Sequence, residues 1–149
     1  MPKGEQRTIQ TPGRNRRINI FITLLWPSRK ALYNICRKRR SLEFKEHLGS
    51  LLRYVRRNGL KRLILIMDNA SIHKSRETSA FLERHQEEIS PFYLPRYSPQ
   101  LNEVEGRVNR GLKRDVCTNH TYRSIEELEE AARRYIRNHN KRQKHSDLT

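Results

Sequence analysis

In "LILIMDNASIHKS", Leu63 to Ser75, five apolar residues give way at once to Asp68 and Asn69. A short apolar run bounded by polar turn formers is the pattern of a strand covered on both faces, because helices packed on each side of a parallel sheet leave no polar face. The run therefore predicts a central strand over Leu63 to Met67, with Asp68 at its carboxy end. Binding and catalytic groups of open α/β sheets gather at that edge.

Toward the amino end, Ser41 is the expected N-cap of a helix in which Phe44, Leu48, Leu51, Leu52 and Val55 recur at helical spacing until Asn58 and Gly59. Arg17 to Leu25 is rich in β-branched residues and predicts a strand. Ala31 to Cys36 predicts a second, and Pro27 and Ser28 between them make the pair an antiparallel hairpin. Residues 1–15, with Pro2, Gly4, Pro12 and Gly13 among polar neighbours, read as a basic arm or loop, leaving 16–149 as one domain.

Toward the carboxy end, Ser75 is placed to cap a helix running to about Glu88. Ile89 to Leu94 predicts a short strand, and "LPRYSPQLN", Leu94 to Asn102, is a Pro-rich loop. Val104, Val108 and Leu112 then fall at helical spacing, although Gly106 and Gly111 each cost about 1 kcal/mol relative to alanine. Ser124 and Glu127 form a capping box ahead of Ile125, Leu128, Ala132, Tyr135 and Ile136 on one helical face, with acids early and bases late along the macrodipole.

The chain has 149 residues, enough for one domain with its own core. Its two cysteines, Cys36 and Cys117, lack the spacing of a disulfide scaffold and point to a reducing, cytoplasmic setting. Its apolar runs are too short to cross a membrane. Lys and Arg number 32 against 16 acids, for a formal charge of +16, of which residues 1–67 carry +14. Such a surface attracts polyanions. Arg14, Arg16 and Arg17, with the run Arg37, Lys38, Arg39 and Arg40, are the candidate DNA-binding residues.

Asp68 and Glu105 stand where apolar framework meets loop, 37 positions apart, and a strand, helix, strand, loop path can return both to one sheet edge. Hard cations such as Mg²⁺ take oxygen ligands, and phosphodiester chemistry commonly uses two ions about 3.5–4 Å apart. Carboxylates suit that task. An aspartate after a strand is also a common turn or cap residue, so spacing alone leaves both readings open.

The words around these residues, "LILIMDNASIHKS" and "LPRYSPQLNEVE", resemble the mariner-like DDE transposases of bacterial insertion sequences. The likeness extends to "PKG" near the start and "RNHNKRQKH" near the end. It implies an α/β fold of the ribonuclease H-like kind, a mixed sheet with flanking helices, here lacking its first strand. It also implies an endonuclease that uses Mg²⁺ or Mn²⁺, with a two-ion site in the complete family domain, to nick DNA and transfer a strand. Asp68 takes the position of the second catalytic acid and metal ligand and Glu105 that of the third. Glu103 stays open as the alternative third acid, because Glu103-Val104 replaces the family's Pro-Ile. The family's first aspartate lies on a strand upstream of the Pro-Lys-Gly word, so the chain is expected to be a truncated or frame-split part, inactive alone. Its expected partners are DNA and either a second copy or the remainder of a split transposase, with no membrane.

Other roles are secondary. Asn69 and His73 are placed to orient Asp68 or contact a phosphate, or simply to cap the next helix. Tyr97, beside the acid loop, is the best placed aromatic for stacking on bases, ahead of Trp26 and Tyr93. Cys117, His120, His139 and His145 match no standard zinc spacing. A basic, non-catalytic DNA-binding or assembly module is the competing function.

Overall fold

The computed structural model describes residues 3–10, 17–68, 70–94, 108, 110–117 and 122–146. Lys3–Gln10 (β1), Arg17–Leu24 (β2) and Ala31–Cys36 (β3) pair as an antiparallel meander, and Ser41–Arg57 (α1) leads across to Leu63–Met67 (β4). A 3-10 turn, Ser71–Lys74, precedes Arg76–Arg84 (α2) and Ile89–Tyr93 (β5). Arg110–Leu112 (α3) continues as a π-helical turn over Lys113–Cys117, and Ile125–Ser146 (α4) follows. The strand order is β3-β2-β1-β4-β5, with β4 parallel to both its neighbours. No helix among the described residues is long and apolar enough to cross a membrane.

The expected arm or loop at residues 1–15 is corrected by β1. Its eight residues pair with β2 from Lys3↔Leu24 to Gln10↔Arg17 and meet β4 at Lys3↔Ile66 and Gly4↔Met67. The segment has no apolar alternation to announce it. It is a strand because the ladders on either side satisfy its backbone groups, a tertiary cause that local pattern does not carry.

Residues of β2 divide between the two faces of the sheet. Ile18, Ile20, Ile22 and Leu24 pack with Val108, Leu112 and Val116 and with Leu128, Ala132 and Ile136 of α4. Phe21 joins Phe44, Leu48, Leu51 and Val55 of α1, Leu65 and Met67 of β4, and Phe81 and Leu82 of α2 on the other side. Each such side chain stabilises the fold by roughly 1.5–3 kcal/mol. The expectation that β4 is covered on both faces holds at Leu65, Ile66 and Met67 but not at Ile64, which is 42% exposed. The α4 layer gathers over β2 and β3, leaving that end of β4 in the open.

Helix ends differ in detail from their sequence signals. Ser75 caps α2 as expected, accepting from the Thr78 N–H, but the helix stops at Arg84 rather than Glu88. Ser41 is the first helical residue of α1, and the extended Arg40 occupies the cap position without a side-chain capping hydrogen bond. Half of the capping box at α4 forms, with Glu127 N–H donating to Ser124 Oγ, while Glu127 Oε2 accepts from the N–H of Arg123, one residue before the cap. Gly111 does more than weaken a helix: a Cβ there would overlap the Tyr135 hydroxyl, so the glycine permits α3 to approach α4.

Candidate metal and nucleic-acid site

Asp68 leaves the carboxy end of β4 with a 41% exposed side chain. Its Oδ1 accepts from His73 Nδ1–H at 2.9 Å and from the Ala70 N–H at 2.9 Å. Among the described residues Oδ2 has no partner, so one oxygen is fixed and the other remains open to a ligand. The His73 hydrogen bond first, with help from Ala70, holds the carboxyl below its ordinary range against the opposing pull of burial. The group is therefore ionised at neutral pH.

His73 is itself held from several sides. The ring is 1% exposed and lies 4.6 Å from the Phe44 ring, and the Tyr93 hydroxyl donates to its carbonyl at 2.9 Å. Among the described residues its Nε2 is buried without a hydrogen-bond partner, an arrangement that costs about 1–3 kcal/mol and calls for a compensating role. Fixing the Asp68 carboxylate is such a role.

Behind it lies a second buried histidine that the sequence reading passed over. His47 Nδ1–H donates to Asn34 Oδ1 at 2.7 Å, so Nε2 accepts from the Thr23 hydroxyl, also at 2.7 Å. Burial, with the neighbouring His73, pushes its pKa down to about 3. The signal was present in the helical register: His47 follows Phe44 by three positions and precedes Leu48 and Leu51 on the inward face of α1.

Of the residues singled out from sequence, Asp68 and His73 are brought together. Asn69, Tyr97, Glu103 and Glu105 lie outside the described residues, as do Arg14 and Arg16. Arg17 begins β2. The basic run divides: Arg37 donates to Glu129 at 2.5 Å and to Glu126 at 3.4 Å, while Arg40 holds Glu43 through both Nε and Nη2. Lys38 and Arg39 are exposed. Tyr93 is committed to His73, with Lys74 over its ring. Trp26 is 44% exposed beneath Arg29. His139 Nε2–H donates to the Arg29 carbonyl, and Asn140 bonds both the N–H and the carbonyl of Ala31. That part of the "RNHNKRQKH" word therefore ties α4 to the β2–β3 turn. No group of three or more metal-binding side chains converges among the described residues.

The donor set present fits a hard divalent cation: an ionised, oriented aspartate with an unengaged oxygen at a sheet edge. A strand order in which a three-stranded meander is extended by two parallel strands, with a carboxylate leaving the fourth, defines a nuclease-like α/β core. A model of the DDE superfamily endonuclease family matches residues 1–129, and the chain belongs to that family. It is 31% identical over 134 residues to the IS630 insertion-element uncharacterized 39 kDa protein of Shigella sonnei, covering 90% of this chain and 38% of that protein. The chain thus spans well under half the length of that relative.

Among solved structures, the Mos1 transposase catalytic domain with raltegravir and Mg superposes with a TM-score of 0.69 at 17% identity, covering 96% of this chain and 79% of that one. The HTLV-2 integrase catalytic core in complex with magnesium does so with a TM-score of 0.56 at 14% identity, covering 91% and 80%. Mos1 has also been solved as a paired-end complex with its left transposon end. At these identities the likeness carries the fold alone, which is ribonuclease H-like. The DDE family and the insertion-element kinship expected from the two sequence words are met.

Proposed function

We propose that this chain supplies two acids, Asp68 and Glu105, to a site that cuts DNA and transfers a strand with the help of Mg²⁺ or Mn²⁺. The observation that carries the reading is Asp68 itself, ionised at the end of the central parallel strand, with Oδ1 pinned by His73 and Ala70 and Oδ2 open. Bound divalent ions would supply activation of the attacking oxygen and stabilisation of the leaving one. Asp68 and Glu105 would hold them, and His73 would keep the Asp68 carboxylate in one orientation. Glu103 is the alternative to Glu105. DNA is the partner, together with a second copy or the remainder of a split transposase, in keeping with the paired-end arrangement of Mos1.

The isolated 149-residue chain, on this reading, does not cleave DNA, because two carboxylates hold the ions where the family uses three. The test is supercoiled plasmid with Mg²⁺ and the purified chain. No metal-dependent nicking is expected. Nicking that vanishes on Asp68→Asn would overturn the inactivity. Glu5 is the informative second variant, since it is the acid of β1 and stands one step beyond the Gly4↔Met67 pair, level with Asp68. Activity lost on Glu5→Gln as well would put Glu5 in the place of the first acid.

A further inference from the structure

A cleft of about 480 Å³ opens between the β3–α1 junction and the segment that follows Asp68, lined by Arg39, Arg40, Ser41, Ser71, Ile72 and Ser75. At about 30 Å³ per water it has room for on the order of fifteen, more than a single ion needs and enough for a sugar-phosphate segment. No acidic side chain is among the described lining residues. Arg40 is already neutralised by Glu43 at 2.5 Å, and Arg37, just outside, is held by Glu126 and Glu129. Arg39 differs from both: among the described residues it makes no ion pair or hydrogen bond, although its charge reaches Asp68. A cation with no ion pair among the described residues, beside three serines and between the paired Arg37 and Arg40, is suited to an anion from outside.

The geometry points to this cleft as the seat of a DNA backbone phosphate next to the one presented at Asp68. The inference deepens the nuclease reading above and rests on it. Ser71 lies three residues beyond Asp68, joined to it through Ala70, whose N–H fixes Oδ1. A strand passing the carboxylate therefore meets the cleft next. The planar guanidinium of Arg39 can donate two parallel hydrogen bonds to a phosphodiester, with hydroxyls beside it. Seating one phosphate here would fix the register of the strand against Asp68, which makes Arg39 a binding and positioning residue.

The test is duplex DNA binding by fluorescence anisotropy across a salt series, comparing the wild-type chain with Arg39→Gln and Arg57→Gln. Arg57 is at the other end of α1, about 24 Å away by helical rise. Losing one phosphate contact should weaken binding about tenfold at moderate salt and reduce the slope of log K against log salt by about one in Arg39→Gln, with the slope kept in Arg57→Gln. Affinity and slope unchanged in Arg39→Gln, or equal losses in the two variants, would overturn the assignment. Replacing chloride with inorganic phosphate at equal ionic strength should narrow the gap between wild type and Arg39→Gln by competing for the seat. A gap that exists only in phosphate buffer would make the cleft a free-phosphate site and the DNA seat wrong. Binding by none of the chains would sink the nuclease reading itself, whereas binding with Arg39 indifferent sinks the cleft alone.

Discussion

On the α4 side of the sheet the buried cluster from β2, α3 and α4 is wholly aliphatic, whereas on the α1 side Thr23, His47, His73 and Thr78 are buried among the apolar residues. At the margin of the α4 side, His139 and Asn140 grip the β2–β3 turn. A dry layer gains from every methylene removed from water. A layer with buried polar groups gives up part of that gain to hold particular atoms in particular places. What the α1 side holds is His73 and, through it, Asp68. One face of the sheet anchors the fold and the other orients the carboxylate.

The largest expected effect lies on the dry side. Leu128→Ala should cost about 3 kcal/mol of unfolding free energy, through lost transfer and a residual cavity beneath β2. Denaturant unfolding measures it, and a loss below about 1 kcal/mol would mean that α4 is not the anchor described.

On the polar side, His47→Leu should cost about 2 kcal/mol at neutral pH by leaving the Thr23 hydroxyl and Asn34 Oδ1 unpaired. The sign of its pH dependence follows from the depressed pKa. The folded ring stays neutral to about pH 3 while the unfolded one takes a proton near 6.5, so this contribution is fully present above pH 6.5 and is lost as pH falls toward 3. The wild type should lose up to about 1.4 kcal/mol per pH unit from this one proton in that window. His47→Leu should lack that slope, so the gap between the two chains narrows in acid. A gap independent of pH would break the contrast between the layers.

A smaller effect is expected at the border of the polar layer. Ser75→Ala removes the hydroxyl that accepts from Thr78 N–H at 3.3 Å and should cost about 1 kcal/mol, read from the thermal midpoint.

The two layers also differ in how far they were legible in sequence. The dry side was plain, because the β-branched run of β2 is the signature of a buried strand and the 3.6-residue period of α4 that of one buried helix face. The candidate site was legible at Asp68 and, as an adjunct, His73, in that the sequence placed both just after an apolar run that stops abruptly. The rest was not, for three physical reasons. β1 is held by its neighbours and has no pattern of its own. His47 and Thr23 are polar residues at inward positions, and single-sequence reading favours apolar ones there. Gly111 is a glycine for the sake of Tyr135, a contact between helices that no local spacing encodes.

The central claim is that Asp68 and Glu105 share one divalent ion at the rim of the sheet. Mn²⁺ binding followed by electron paramagnetic resonance, on the wild-type chain, Asp68→Asn, Glu105→Gln and the double variant, tests it most directly. Shared ligation predicts that each single substitution weakens binding by a similar large factor and that the double adds little more. Undiminished binding in Glu105→Gln, or independent additive losses, would contradict it. Loss on Glu103→Gln instead would move the third acid to Glu103.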